Sequence, residues 1–165
     1  MHNEPEIVQR AEQPYLAIKA TVTMETIGTV LPSLHPEMFA WLDAHGVRPA
    51  GAPFSKYNAI DMQRELEIEA GVPVAEAVAG DERVQPGVLP AGNYAETVHT
   101  GHPASLVDAT AALLDWAAKR GLVWDVSVTP QGQRWGCRLE IYETDPREEP
   151  NLDKWETRLA FRLAE

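Results

Sequence analysis

Arg134-Trp135-Gly136-Cys137-Arg138-Leu139-Glu140-Ile141-Tyr142-Glu143 alternates like a β-strand with one apolar face. Trp135, Cys137, Leu139 and Ile141 fall on one side. Arg138, Glu140 and Tyr142 fall on the other, with Glu140 and Tyr142 adjacent on it. Two readings follow. The polar side is a solvated outer face, or it lines a cleft in which Glu140 is a negative anchor and Tyr142 an aromatic wall. Cys137 lies on the apolar side, without a basic neighbour or helix start to activate it, and reads as a buried structural thiol.

The surrounding elements decide what this strand belongs to. Tyr15 to Val22 is a strand with Leu16, Ile18, Ala20 and Val22 on one face. Thr26 to Leu31 predicts a short helical turn stopped by Pro32. Pro36 then opens a helix to His45, with Gly46 as its stop. Phe54 to Ile60 is a short strand carrying Tyr57. Met62 to Ala70 alternates, with Glu65, Glu67 and Glu69 on an outer face that reads as solvated. Tyr94 to Thr100 is another strand. The clearest helix follows over 104–120, capped by Gly121. Pro130-Gln131-Gly132 is a turn, and Trp155 to Leu163 closes the chain as a strand with Trp155, Leu159, Phe161 and Leu163 on its apolar face.

The order of elements occurs twice. Each half reads strand, helix, loop, strand, strand, and each opens on a tyrosine, Tyr15 or Tyr94. The helices end WLDAHGV and WAAKRGL, with Trp41 before Gly46 at the same spacing as Trp116 before Gly121. The expectation is a flexible tail over 1–12 and one domain over 13–165, with repeats of about 13–74 and 88–164. Two such units pair into one antiparallel sheet, an α+β fold with two pseudo-symmetric repeats and both helices on one face. The other face, without a helix, is solvated or forms a groove along the pseudo-twofold, and that groove sets Glu140 and Tyr142 opposite Tyr57.

The formal charge of −11 argues against a nucleic-acid partner and against an anionic membrane surface. It suits cationic ligands and basic protein partners. No apolar run reaches a membrane-span length, and the polar N-terminus has no signal core. One cysteine excludes an internal disulfide. The expected location is cytoplasmic. Phosphate-loop, dinucleotide and serine-hydrolase motifs are absent from the sequence, so no cofactor is expected. His99 and His102 lack further metal-ligand candidates nearby, so no metal site is assigned and the pair reads as a strand end and helix start. Trp124 is not fixed by any period and is a candidate cleft wall, whereas Trp41, Trp116, Trp135 and Trp155 read as core.

The pieces YNAIDM, ELEIEAGVPV, LPAGNYAETVHTGHPASLVDATAALLDWA and LEIYETDP, in that order, resemble the GyrI-like small-molecule-binding domain, the effector-binding type found in AraC-class and BmrR-type regulators. The resemblance covers most of residues 14–164. It implies two strand-helix-strand-strand repeats around a ligand cleft, and hydrophobic, aromatic, often cationic ligands. Glu140 matches the cleft glutamate, Tyr142 the tyrosine that follows it, and Tyr57 an aromatic of the first half. The family's last strand usually carries an acid and a tyrosine where this chain has Arg158 and Ala160. A cation there implies that Glu140 pairs with Arg138 or Arg158, giving a pocket suited to a neutral or polar aromatic. No helix-turn-helix precedes Tyr15, which implies a stand-alone member that binds, sequesters or senses. Two alternatives come with the resemblance. One is cofactor-free hydrolysis of cyclopropanoid genotoxins, with Glu140 and Tyr142 catalytic. The other is a protein-protein role like that of gyrase inhibitors.

Overall fold

The computed structural model describes residues 3–130 and 132–165. In chain order they form β1 (Glu6–Arg10), β2 (Gln13–Val22), α1 (Ile27–Ala44), β3 (Phe54–Ile60), β4 (Leu66–Pro73), β5 (Gln85–Leu89), β6 (Gly92–Thr100), α2 (Leu106–Lys119), β7 (Val126–Thr129), β8 (Gly132–Trp135), β9 (Arg138–Tyr142) and β10 (Glu156–Arg162). The sheet is antiparallel throughout and runs β1-β6-β10-β9-β3-β4-β2-β5, with the β7–β8 hairpin joined to β3.

That order is palindromic about the β9–β3 pair: β10 mirrors β4, β6 mirrors β2, and β1 mirrors β5. The repeat extends to the helix stops. Gly46 and Gly121 take φ of 67° and 66°, a left-handed conformation that glycine adopts without cost. Val47 N–H donates to Leu42 O at 2.9 Å, and Leu122 N–H to Ala117 O at 3.0 Å, the same closing bond in both halves. Trp41 is stacked by His45 at 3.8 Å, and Trp116 by the Arg120 guanidinium at 4.3 Å, one turn later in each helix.

Three expectations change. Residues 6–10, expected in a tail, form β1, which pairs along β6; Arg10 bonds the buried Glu96. The helix expected from Pro36 starts at Ile27 and runs unbroken through Pro32 and Pro36. The prolines lie four apart, so their rings share one helix face, and that face borders a cavity, not the core. Leu34, Met38 and Leu42, on the other side of α1, make the core contact. Finally, the strand expected over 134–143 breaks at Gly136, where a Cβ would stand 1.8 Å from Asp125 Oδ2. Trp135 therefore packs with Trp124, Phe161 and Leu113, whereas Cys137 and Leu139 join a separate core with Tyr15, Phe54 and Tyr94. Gln131 of the expected turn lies outside the described residues.

The two cores follow from how the sheet curls. β5 and β6 sit towards opposite ends of the strand order, yet only Pro90 and Ala91 connect them; Ala11 and Glu12 likewise connect β1 to β2. Such links reach at most about 11 Å. The two ends of the sheet are thus brought together, and Tyr15, Phe54, Leu89, Tyr94, Leu139 and Ala160 meet inside the curl. The face without helices closes on itself over this cluster, and beside it Lys19, Lys56, Asn58 and Glu69 line an open polar depression of about 550 Å³. The tip of the Phe54 ring sits against Gly71, where a Cβ would come within 2.5 Å of it. Gly71→Ala is expected to cost about 1–3 kcal/mol of stability in urea unfolding, because the buried ring has nowhere to retreat; an unchanged midpoint would show that the ring yields freely.

Candidate functional site

Directly paired residues of antiparallel strands project on the same side of a sheet. The pairings give one continuous row: Ile18, Ala70, Ser55, Glu140, Leu159, Thr97. α1 packs on Ile18 and Ala70, and α2 packs in the cluster of Leu159. Both helices therefore lie on one face, as expected, and they cover its two ends. Ser55 and Glu140 occupy the uncovered middle. The cleft lies between the helices, on their own face. The row places Ser55 and Glu140 on the helices' own face, whereas Glu140 was expected on the face away from them.

The same pairings fix the local symmetry. Phe54 pairs with Ile141, Ser55 with Glu140 and Lys56 with Leu139, so the pseudo-twofold passes through the Ser55–Glu140 pair. Tyr57 and Tyr142 are each two residues further along and are symmetry mates. Their hydroxyls converge: Tyr57 donates to Glu140 Oε1 at 2.9 Å and Tyr142 donates to the same oxygen at 3.2 Å. Ser55 Oγ lies 2.7 Å from the Tyr142 hydroxyl and 3.5 Å from His35 Nε2. The His35 ring meets the Tyr142 ring edge-on at 5.4 Å.

Burial pushes the Glu140 carboxyl above its usual range; the two tyrosine hydroxyls and the Arg138 charge pull it partly back. Burial first, and the neighbouring Glu140 charge second, hold both tyrosines well above their ordinary range, so they remain donors. Burial lowers His35, which favours the neutral ring. Among the described residues no cation lies within ion-pair distance of Glu140. The carboxylate is held by neutral donors in place of a counter-charge, so a bound cation would gain an interaction not already made.

Beside this cluster opens a cavity of about 860 Å³. α1 supplies Leu31, Pro32, His35, Pro36 and Phe39, residues spaced to share one helix face. Pro103 and Leu106 face them from the start of α2, Tyr142 forms part of the wall, and Trp155 with the 143–147 loop forms another part. Trp155, expected in the core, is instead a cavity wall; its indole N–H donates to Glu149 O at 2.7 Å, which leaves the ring free to face inward.

The other expected site residues separate. Arg138 shares the Glu140 face, but its guanidinium stacks over Trp135 and Phe161 at 4.8 and 4.5 Å and does not pair with the carboxylate. Arg158 projects on the opposite face, because it pairs in register with Ile141; it bonds Glu96 at 3.2 Å and Glu143 at 3.3 Å. A role for Arg158 beside Glu140 is excluded by that geometry. Trp124 packs against Trp135 and Phe161 under α2, outside the cavity lining. Of the acidic triplet, Glu69 is not solvated: it accepts from Tyr15 and Asn58 and pairs with Lys56. His102 caps a turn through Ala104 N–H, and His99 bonds Ser105. His35 and Ser55 were not singled out in the sequence. The only signal for His35 was its place among Leu31, Pro32, Pro36 and Phe39 on one helical face.

Tyr57→Phe removes one of two donors to the ionised carboxylate. The Glu140 titration is expected to move further upward, followed by its side-chain carboxyl carbon resonance. A downward shift or none would contradict the assigned hydrogen bond.

The fold recurs in known structures. The EcmrR C-terminal domain superposes with a TM-score of 0.75 at 16% identity, covering 98% of each chain. The chain spans 57% of EcmrR as seen in its complex with DNA. SAV2435 bound to tetraphenylphosphonium superposes at 0.69 with 11% identity, covering 98% of this chain and 94% of that one. A hydrolase from Listeria innocua superposes at 0.62 with 17% identity, covering 98% and 92%. No curated protein sequence matches. None of the helices among the described residues is long and apolar enough to cross a membrane. The model of the GyrI-like small molecule binding domain matches residues 3–164, and the chain belongs to that family.

Proposed function

We propose that the protein binds flat or bulky aromatic monocations in the cavity between its helices, with Glu140 as the charge anchor. The observation that carries this reading is a half-buried carboxylate with no ion-pair partner among the described residues, held by Tyr57 and by Tyr142, the latter part of the wall of a largely apolar cavity. An aromatic cation gains dispersion contacts with Phe39, Trp155 and Tyr142, attraction to their ring faces, and the Glu140 charge in a site of low dielectric. The tetraphenylphosphonium bound by SAV2435 is a ligand of this chemistry, and the likeness supports its use as a first probe. Isothermal titration with tetraphenylphosphonium and with a neutral tetraphenyl analogue of similar size tests the reading. Preference for the cation is expected; equal affinity would remove Glu140 as anchor.

A second reading is supported by one feature of the same site. A carboxylate whose titration is raised by burial is suited to general-base work near neutral pH. In a strained cyclopropanoid alkylator, Glu140 would take a proton from water as the new carbon–oxygen bond forms. The strained carbon–carbon bond breaks and its electron pair moves to the departing phenolate, which Tyr57 or Tyr142 stabilises by hydrogen bonding. Incubation with such a compound and mass analysis for the water-added, ring-opened product tests it. Recovery of unchanged ligand would leave binding alone.

A further inference from the structure

The geometry points to His35 Nδ1 as a second polar anchor of the cavity, an acceptor that selects aromatic cations bearing an N–H or O–H donor over those that bear none. The inference rests on the binding reading above. Tyr142 donates its one hydrogen to Glu140 Oε1. Its oxygen must then accept from Ser55, 2.7 Å away, which uses the Ser55 hydrogen. Ser55 Oγ is left as an acceptor towards His35 Nε2, 3.5 Å away. Each hydrogen points to the carboxylate, so the Glu140 charge sets the His35 tautomer from three groups away: the proton sits on Nε2 and Nδ1 carries a bare lone pair. Burial keeps the ring neutral, which fits this assignment.

Nδ1 is fully buried and has no hydrogen-bond partner among the described residues. A buried acceptor without a partner is uncommon and unfavourable. His35 belongs to the cavity wall between Pro32 and Pro36, so a ligand seated there can supply the missing donor after a small ring rotation. The side chains of Leu31, Pro32, Pro36 and Phe39 on the same helix face are apolar and offer no acceptor. Orientation of a ligand along α1 therefore depends on His35, while its charge depends on Glu140.

The test compares an aminoacridinium, which has N–H donors, with its fully N-methylated counterpart of the same ring and charge. His35→Phe keeps the edge-on ring contact and removes the acceptor. It is expected to weaken the aminoacridinium by roughly tenfold and the methylated ligand by less than about threefold. Equal loss for both, or no loss for either, overturns the inference. Glu140→Gln is expected to weaken both ligands alike; if it weakens neither, the charge-anchor reading fails independently of the His35 result. A measurement on unaltered protein guards against misfolding of the variant. The ¹⁵N resonance of His35 Nδ1 should move on adding the aminoacridinium and stay in place with the methylated ligand. A shift common to both, or absent from both, counts against the inference.

Discussion

Glu140→Gln is expected to reduce affinity for a monocationic aromatic by roughly 30- to 1,000-fold, the effect of about 2–4 kcal/mol for a charge lost from a desolvated pair. The fold should survive with equal or greater stability. Glutamine keeps the shape and still accepts from Tyr57 and Tyr142, and it removes a charge whose burial is unfavourable. The pH dependence separates the two roles. Because the Glu140 titration is raised in the folded protein, its contribution to stability is present below the ordinary carboxylate range and is lost as pH rises through the raised value. Cation affinity runs the other way, growing as the same proton leaves. Wild-type protein should thus bind more tightly and lose stability relative to Glu140→Gln over one shared window of pH. Parallel curves for the two proteins would show that Glu140 is not the titrating group.

The second large effect is at the other end of the chain. Removing residues 1–10 deletes β1, strips β6 of its outer neighbour and leaves the buried Glu96 with Arg158 as its one ion-pair partner among the described residues. The expected loss is on the order of 3–5 kcal/mol, from an exposed strand edge and a half-broken buried charge cluster. Urea unfolding measures it. A midpoint unchanged from that of the full chain would return these residues to the status of a tail.

The fold was legible in the sequence through its repetition. Trp41 and Trp116 before their glycines, and Tyr15 and Tyr94 opening each half, are positions where both repeats obey one rule, and the structure keeps them equivalent. Glu140, Tyr142 and Tyr57 were legible through the alternation of their strands and the family resemblance. What failed were statements about which side of the sheet faces what. Period 2 sorts residues into two sides but does not say which side the helices take, and Gly136 shifts Trp135 out of phase with Leu139. Arg158 was misplaced for the same reason: its face depends on pairing with Ile141, information held by another strand. β1 was missed because five residues of mixed polarity form a strand only when an edge is offered to them. Pro32 and Pro36 argued for two helices because proline usually breaks one; here the unpartnered helix face is the cavity wall.

The Ser55–Glu140 pair carries a consequence for what kind of molecule can own this site. A residue on a twofold axis faces its own copy. Were two identical half-length chains to assemble in this arrangement, the axial position would hold two carboxylates in direct register or two hydroxyls. Two carboxylates at that spacing repel, and one of them would stay protonated; two hydroxyls carry no charge. A single unshared anion, flanked evenly by Tyr57 and Tyr142, requires the halves to be alike in backbone and different at one place. Joining them in one polypeptide is what permits that difference, and the odd charge of the pocket is its product.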